Sequence, residues 1–542
     1  MAVSLEVEQP PTPAKSNILN LRDLGVALAI SNLTFLRVWW ELLTYTKADL
    51  FFMKSPPSRT ELVAVMLNVI VLTFILTAAT ALVRKYCTAR IAQIAVDIAI
   101  ALVFIFPALS LLIALSGRYP KLRELPFRFV GQKISLIIGV TAFVFIAYVL
   151  LHKRKINGAI ILLPFVPLTF GQAIWKSIRY DPSSLAEKPP APYLPIASDS
   201  PRLVWIIFDR LDQRLTFMDR PQQIQLPEFD RMRREAVYAR NAFPPSAYTI
   251  FSMPSLTQGR QDDLVGDAKP LDEKTLEIRY LSKRKSVWGL ESTVFSEARA
   301  IGMNSGVVGW YLPYCRVFPQ VLSSCEWFEM SRQHNSYDMT LDRTEPLSSV
   351  MQNEVRSLAE TNFLSPFGQS LTTRKHSRTY DALTAAAREM TVDPKLNLVL
   401  LHLPIPHWPY FYNRRTGTYD LRNSLVYGYL DGLVLADLTL GLIRRDLEAA
   451  GMWDRTTVLV SSDHSHRSAP RNLDGKTNPR VPFLLKLAGQ KTGVEFPSDF
   501  NTVLTKELLL AILKSEVSTP RQAIEWLARH KSLAQSPYDR DL

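Results

Sequence analysis

The first third of the sequence contains four long apolar runs without a charged residue, each about 18 to 22 residues long. They cover residues 62–83, 98–116, 134–151 and 156–175. An α-helix rises 1.5 Å per residue, so about 20 such residues cross the hydrocarbon core of a bilayer. Core helices of soluble proteins rarely run so long without a charge. The four runs are therefore predicted to be transmembrane helices.

A fifth apolar segment, residues 24–43, is also predicted to span the membrane. Arg37 and Glu41 interrupt it, but Trp39 and Trp40 lie where an interfacial aromatic belt is expected. No small-residue cleavage site follows this segment, so we predict no removable signal peptide.

The short basic loops set the expected orientation. Basic residues cluster at 84–90 and 152–155, and such loops normally stay in the cytoplasm. Five spans that begin inside then place the chain after about residue 176 outside. The basic stretch 118–128 argues the other way, because this count places it outside.

The chain has only three cysteines, which excludes a disulfide scaffold and a cysteine-rich zinc module. Cys315 and Cys325 fall in the part expected outside, where an oxidising compartment would let them pair. We expect a disulfide between them, with two free thiols as the alternative.

Three regions follow from these patterns: a transmembrane domain over 1–176, a proline-rich linker over 177–200 and an external domain over 201–542. The net charge is +13. The positive residues are spread along the chain without an aromatic-interleaved basic stretch, so nucleic-acid binding is not expected. A membrane lipid is the expected partner.

The external region alternates short apolar runs with amphipathic stretches. Strands are predicted at 203–208, 305–309, 396–403, 456–460 and 482–487, and helices at 380–390 and 429–450. Such alternation favours an α/β domain with a mainly parallel sheet that helices cover on both faces. Ligands of such sheets bind at the carboxyl ends of the strands.

Carboxylates and imidazoles follow three of the predicted strands. Asp209 follows the first, His402 and His407 follow the third, and Asp463 and His464 follow the fourth. Any one of them alone could be a helix cap or a histidine satisfied in a loop. Together they predict a metal site, and oxygen with nitrogen ligands suits zinc or manganese better than calcium.

The order of these residues resembles the alkaline phosphatase superfamily. The first Asp, a hydroxyl residue about 40 positions later, an H-x4-H-x-P segment and a later SDH are similar to the sulfatase-fold membrane enzymes, which include lipid A phosphoethanolamine transferases, lipoteichoic acid synthases and sulfatase-like hydrolases. The resemblance implies five transmembrane helices in a bacterial inner membrane and an extracytoplasmic catalytic domain.

The resemblance also implies roles for individual residues. Asp209, Asp463, His464 and Thr249 would hold a divalent metal, with zinc favoured and manganese, magnesium or calcium left open. Thr249 would be the nucleophile. His407 would face the substrate phosphate, and His402 begins the same segment.

Two departures from the family's pattern are visible. The transferases usually have Glu where this chain has Asp209, which shortens the reach of the carboxylate. They also carry a further downstream His, whereas here only His466 and His530 follow His464. His466 is a candidate substitute.

Several hydroxyl residues compete for the role of nucleophile: Ser246, Thr249, Ser252, Ser255 and Thr257. The reactive residue of sulfatases lies ten positions before a Gly, and Thr249 has this spacing to Gly259. Ser252 begins an S-x-P-S motif like that of sulfatases but lies only seven positions before Gly259. A helix-capping role for Thr249 is the structural alternative.

A threonine cannot become the formylglycine of true sulfatases, which favours phosphoryl chemistry. The first functional hypothesis is a metal-dependent enzyme that transfers or hydrolyses a phosphoethanolamine or phosphoglycerol head group of a phospholipid or glycolipid. The alternatives are a sulfatase-like hydrolase of sulfate or phosphate esters and a non-catalytic envelope scaffold.

Overall fold

The computed structural model describes residues 21–86, 163–329, 346–361, 368–420, 427–466, 475–476 and 478–530. The predicted spans 98–116 and 134–151 lie outside the described residues, as do the basic stretches 118–128 and 152–155 and the first part of the span 156–175. The chain forms two compact units. We call them the helical unit and the α/β unit.

The helices are α1 (Leu21–Thr34), α2 (Leu36–Leu43), α3 (Arg59–Tyr86), α4 (Phe165–Ile178), α5 (Pro227–Glu235), α6 (Thr249–Gln258), α7 (Val294–Ala300), α8 (Tyr314–Val317), α9 (Leu347–Thr361), α10 (Gly368–Thr391), α11 (Gly428–Ala449), α12 (Thr505–Leu513) and α13 (Pro520–His530). The strands are β1 (Arg202–Phe208), β2 (Val237–Ala239), β3 (Ala242–Phe243), β4 (Val265–Pro270), β5 (Leu276–Tyr280), β6 (Lys285–Val287), β7 (Ser305–Trp310), β8 (Ser324–Phe328), β9 (Leu398–Leu403), β10 (Tyr412–Asn413), β11 (Thr418–Tyr419), β12 (Thr456–Ser461), β13 (Phe483–Lys486), β14 (Val494–Phe496) and β15 (Phe500–Asn501).

In the helical unit, α1, α4 and α9 pack against α3. Helix α3 contains the predicted span 62–83 and is long and apolar enough to cross a membrane. Helices α1 and α2 pass the same test only as a pair that is bent by 58°. The described residues thus contain one such helix, or two with the bent pair, and the five-helix bundle stays a prediction.

Helix α9 lies in the second half of the sequence but belongs to the helical unit. The Asn68 side-chain amide of α3 donates to Glu354 Oε2 at 2.7 Å and to the Met351 carbonyl at 3.1 Å. Glu354 is buried. This polar pairing ties α9 to the apolar helix α3.

The α/β unit is built on an eight-stranded sheet with the order β14-β2-β13-β12-β1-β9-β7-β8. Strands β12, β1, β9, β7 and β8 are parallel to one another. Strand β13 runs antiparallel to both β12 and β2. The predicted α/β fold with a mainly parallel sheet is confirmed.

Helices cover both faces of this sheet. Every residue of β1 is buried, and alternate residues contribute to two hydrophobic clusters. Leu203, Trp205 and Ile207 pack in the cluster that includes side chains of α6, α7 and α12. Their neighbours pack in the cluster of α5, α10 and α11. Burial on both faces is why these strands read as continuous apolar runs.

All five predicted strands are present, and their ends shift by no more than two residues. The predicted third strand and β9 both end at Leu403, so His402 lies within the strand and not after it. The sequence analysis missed strands β2, β8 and β14 of the main sheet and the three-stranded antiparallel sheet β4-β5-β6. These strands are short or carry charged residues, so no apolar run marks them.

Most of the proline-rich residues after α4, from Asp181 on, belong to the α/β unit. Ala191 N–H donates to the Leu322 carbonyl at 2.8 Å, and Leu194 N–H donates to Asn304 Oδ1 at 2.8 Å. Much of the predicted linker 177–200 thus has fixed partners near β7 and β8.

A segment between α2 and α3, Tyr45–Pro56, also belongs to the α/β unit. Phe51 is fully buried in the hydrophobic cluster that includes side chains of α6, α7 and α12. The Arg316 guanidinium donates to the carbonyls of Leu50 and Lys54, each at 3.0 Å. This segment lies outside the predicted boundaries 201–542.

The residues that receive the segment are held by a disulfide. Cys315 of α8 and Cys325 of β8 are bonded to each other, with their Cα atoms 5.6 Å apart. Arg316 follows the first of these cysteines directly, so the bond fixes the helix that carries the guanidinium.

We expect Phe51→Ala to destabilise the α/β unit by about 3–5 kcal/mol, the usual cost of removing a buried phenyl group. Denaturant unfolding of the full chain in detergent measures this loss. Lys47→Ala, at an exposed position of the same segment, serves as the control and should change stability by less than about 0.5 kcal/mol. Equal stability of the Phe51→Ala and wild-type proteins would show that the segment does not support the domain.

Candidate active site

The central strands bring two aspartates side by side at the carboxyl edge of the sheet. Strands β1 and β12 are parallel neighbours, with Ile207 opposite Ser461. Asp209 directly follows β1, and Asp463 is the second residue after β12. The Arg210 backbone N–H donates to Asp463 Oδ1 at 3.2 Å. The sheet register itself therefore sets the spacing of the two carboxylates.

His464 completes a three-residue cluster with these aspartates, whose possible ligand atoms all lie within 4.8 Å of one another. Its Nε2 lies 3.5 Å from Asp463 Oδ2 and 3.8 Å from Asp209 Oδ1. Its Nδ1 lies 2.9 Å from the Ser465 carbonyl. Because a carbonyl only accepts, Nδ1 carries the proton and Nε2 presents a lone pair to the cluster.

The residues of this cluster fit a divalent cation. Asp209 and Asp463 are 1% and 0% exposed. Asp463 Oδ2 makes no hydrogen bond with any described residue. Two buried carboxylates this close together are costly unless a cation compensates them. Two carboxylates with one imidazole are ligands that suit zinc or manganese.

His402 lies against the same carboxylates from β9. Its Nδ1 is 2.8 Å from the Tyr314 hydroxyl, and its Nε2 is 3.9 Å from Asp209 Oδ2. Burial lowers the pKa of His402 to about 4. The imidazole is therefore neutral at pH 7, and Tyr314 fixes the orientation of its ring.

His407 lies next to His402 across an aromatic ring. The Trp310 ring is centred 5.2 Å from the His407 ring and 6.4 Å from the His402 ring. His407 Nδ1 donates to the Trp408 carbonyl. Burial, followed by the charge of Arg210, holds the pKa of His407 well below its ordinary value. A neutral imidazole results, with Nε2 as a hydrogen-bond acceptor.

Thr249 is the candidate nucleophile whose hydroxyl meets the metal cluster. Its Oγ1 lies 3.5 Å from Asp209 Oδ2 and 3.4 Å from His464 Nε2. It is the first residue of α6, where the positive end of the helix dipole favours an alkoxide. Thr249 thus lies beside the metal cluster, and the dipole of α6 stabilises negative charge on its hydroxyl oxygen.

The competing hydroxyls are engaged elsewhere. Ser252 Oγ donates to the Ser246 carbonyl at 2.9 Å, and Thr257 Oγ1 donates to the Met253 carbonyl at 2.8 Å. The Ser246 and Ser255 hydroxyls accept from backbone N–H groups of Tyr248 and Val265. These contacts give the four residues structural roles in and around α6.

His466 is placed differently from its neighbour His464. Its ring stacks on Tyr429 with a centroid distance of 3.9 Å and an interplanar angle of 5°. It is buried but does not belong to the cluster of possible ligands. His466 thus packs against Tyr429, and its role as a substitute ligand stays a prediction.

Two residues at the site were missed by the sequence analysis, Arg210 and Tyr311. Both follow sheet strands and have left-handed backbones, with φ values of 66° and 68°. Burial, aided by Asp209, raises the pKa of Tyr311 to about 12. Its ring stacks on Phe52 at 5.0 Å. The segment Tyr45–Pro56 therefore reaches the wall of the site.

The family assignment rests on a match that covers most of the α/β unit. The family model named Sulfatase matches residues 201–499, more than half of the chain. The chain belongs to the sulfatase family. As a sulfatase-family protein it is a hydrolase-like enzyme of the alkaline phosphatase superfamily, as the sequence analysis predicted, and metal dependence is typical of this family.

The solved structures similar to this sulfatase-family protein have low sequence identity to it. Ps i-CgsB is 14% identical, over 63% of this chain and 76% of that one, with a TM-score of 0.39. The lipoteichoic acid synthase LtaP from Listeria monocytogenes is 12% identical, over 59% and 73%, with a TM-score of 0.35. Murine ectonucleotide pyrophosphatase/phosphodiesterase 5 is 11% identical, over 58% and 95%, with a TM-score of 0.33. No curated protein sequence matches the chain.

Proposed function

We propose that this protein is a membrane-anchored, metal-dependent enzyme that transfers or hydrolyses a phosphoryl-linked lipid head group, of the phosphoethanolamine or phosphoglycerol type, through Thr249. The observation that carries the proposal is the position of Thr249 Oγ1, within 3.5 Å of both Asp209 and His464. The Thr249 side chain has an alcohol that can form a phosphate ester, but it cannot become the aldehyde that true sulfatases use.

Asp209, Asp463 and His464 would hold the metal, with Thr249 as a further ligand. A bound divalent ion supplies Lewis acidity toward an ester oxygen and lowers the pKa of a nearby alcohol. Thr249 Oγ1 would give its proton to solvent water and bond to phosphorus, while the bond from phosphorus to the diacylglycerol oxygen breaks. The released diacylglycerol oxygen would take a proton from solvent, and the head-group phosphate would stay esterified to Thr249.

The second half of the reaction needs a base for the accepting alcohol or water. His407 has its Nδ1 proton committed to the Trp408 carbonyl, so its Nε2 can accept a proton from the acceptor. The acceptor oxygen then bonds to phosphorus, the bond from phosphorus to Thr249 Oγ1 breaks, and Thr249 Oγ1 regains a proton from His407 Nε2. His402 would act as a positioning residue, because its Nε2 faces the Asp209 carboxylate.

Membrane attachment and sidedness are part of the proposal. Helix α3 has the length and apolarity of a span, and Tyr45–Pro56, which precedes it, packs in the catalytic unit. Attachment through this segment suits a lipid substrate. The Cys315–Cys325 disulfide favours an oxidising compartment, in accord with a catalytic domain outside a bacterial inner membrane.

Incubation of the full-length protein with phosphatidylethanolamine and phosphatidylglycerol vesicles and zinc tests the proposal. Mass spectrometry should find Thr249 esterified by the head-group phosphate, and diacylglycerol should appear. Hydrolysis of aryl sulfates with Thr249 unmodified would support a sulfate-ester hydrolase instead. Zinc-loaded protein without activity on either substrate class would favour the non-catalytic scaffold.

A further inference from the structure

The residue after the first metal-site aspartate, Arg210, has its backbone fixed at both ends. Its N–H donates to Asp463 Oδ1 at 3.2 Å, and its carbonyl accepts from the Tyr429 hydroxyl at 2.7 Å. The backbone φ angle of Arg210 is 66°. This left-handed region is unfavourable for a residue with a long side chain. Strain of this kind is retained where a particular side-chain direction is needed.

Several other shielded arginines of the α/β unit have acceptors for their guanidinium groups, and those of Arg202 and Arg316 are backbone carbonyls. Arg214 pairs with Asp219, Arg414 with Asp431 and Arg444 with Glu228. Arg210 Nε is buried but makes no hydrogen bond with a described residue, and none of the described carboxylates forms an ion pair with this guanidinium. A buried guanidinium N–H without an acceptor is costly, so the position of Arg210 favours a ligand that supplies one.

The charge of Arg210 acts on groups around His407. Arg210 lowers the pKa of His407, and it opposes the larger upward effect of burial on the pKa of Tyr410 and Tyr429. Arg210 and His407 follow the parallel neighbours β1 and β9 at the same edge of the sheet, and the Arg210 N–H donates to the candidate metal ligand Asp463. The charge of Arg210 is therefore placed at the edge where the metal cluster and His407 lie.

We propose that Arg210 binds the non-bridging oxygens of the substrate's phosphate group and so selects an anionic ester. The inference rests on the proposed function, since it assigns the residue that recognises the reacting group. A planar guanidinium offers two parallel N–H donors to two such oxygens, and Thr249 attacks the same phosphorus. Arg210 thereby orients the group that the nucleophile meets.

Inorganic phosphate binding tests this without turnover. Calorimetry on zinc-loaded full-length protein compares Thr249→Ala with Thr249→Ala/Arg210→Asn. Asn tolerates a left-handed backbone better than Arg, so the second change removes the charge without adding strain. Phosphate affinity should fall at least about tenfold, the effect of losing charge-assisted hydrogen bonds. Zinc content and thermal stability should stay unchanged.

The matched control is Arg240→Gln, which removes an exposed arginine paired with Glu495 away from the site; its phosphate affinity should equal that of the parent. Arg210→Lys keeps the charge but not the paired donors, and should give an intermediate affinity. Phosphate affinity within threefold of the parent in Arg210→Asn would overturn the proposal. So would a loss of zinc in both Arg210→Asn and Arg210→Lys, because that outcome makes Arg210 a positioning residue for Asp463.

The outcome separates this inference from the proposed function. Phosphate binding in the Thr249→Ala background does not depend on lipid substrate or on a covalent intermediate. Weak phosphate binding in Arg210→Asn, together with an unmodified Thr249 in the vesicle assay, would retain Arg210 as the anion-binding residue and reject the phosphothreonine mechanism.

Discussion

Thr249→Ala should lower turnover by roughly 10³-fold or more while the fold and most of the zinc affinity are retained, because the alcohol that bonds to phosphorus is gone. Asp209, Asp463 and His464 still form their cluster in this variant. Initial rates of release of diacylglycerol from vesicles, with zinc content measured on the same sample, check the expectation. A loss of this size is far above assay error.

Ser252→Ala is the matched control for this prediction. Both residues lie in the first turns of α6, but Ser252 Oγ donates to the Ser246 carbonyl and lies away from the cluster. Its removal should change activity by less than about tenfold, the effect of one hydrogen bond of about 0.5–1.5 kcal/mol. Near-full activity of Thr249→Ala would show that Thr249 is not the nucleophile. A larger loss of activity in Ser252→Ala than in Thr249→Ala would favour the sulfatase-type mechanism.

Asp463→Asn should weaken zinc binding by more than about 100-fold, because changes to outer-shell groups alone cost about 10–100-fold. The metal-free variant should be at least as stable as metal-free wild type. The reason is that Asn keeps the oxygen that accepts from Arg210 N–H and His464 N–H, whereas one of two buried negative charges is removed. Competitive zinc titration and thermal unfolding with and without zinc measure the two effects.

Asp437→Asn provides the control for a buried aspartate outside the site. Asp437 lies on α11 and accepts from the Phe229 N–H at 2.8 Å. Burial raises its pKa to about 7. The substitution should leave zinc affinity unchanged. Zinc affinity of Asp463→Asn equal to that of this control would remove Asp463 from the proposed metal site.

The central sheet could be predicted from the sequence because burial on both faces leaves a clear trace. Strand β1 reads RLVWIIF and β9 reads LVLLHL, and every residue in both is buried. The missed sheet β4-β5-β6 has the opposite character. In β4 the charged residues Asp267 and Lys269 are exposed and alternate with less exposed residues, and the strand ends in a proline. Short antiparallel strands with one solvent-exposed face contain few apolar residues, so their sequences cannot be distinguished from those of loops.

The site was predictable to the extent that it follows from strand ends. Asp209, Asp463 and His464 lie together because parallel strands bring their carboxyl ends to one edge. Arg210 and Tyr311 were missed because a left-handed backbone at Arg or Tyr has no sequence signature, unlike one at Gly or Asn. The stacking of His466 on Tyr429 joins distant parts of the chain, and no local pattern encodes it.

The order of segments along the chain does not match their membership in the two units. Tyr45–Pro56, from the apolar first third, belongs to the catalytic unit, and Glu345–Phe363, from the catalytic half, belongs to the helical unit. Recombination at a single junction, such as the proline-rich stretch, would separate each unit from one of its own segments. Phe51 would lose its hydrophobic cluster, and Asn68 would lose Glu354. The helical and α/β units of this enzyme are therefore expected to diverge together and not to be exchanged as independent modules.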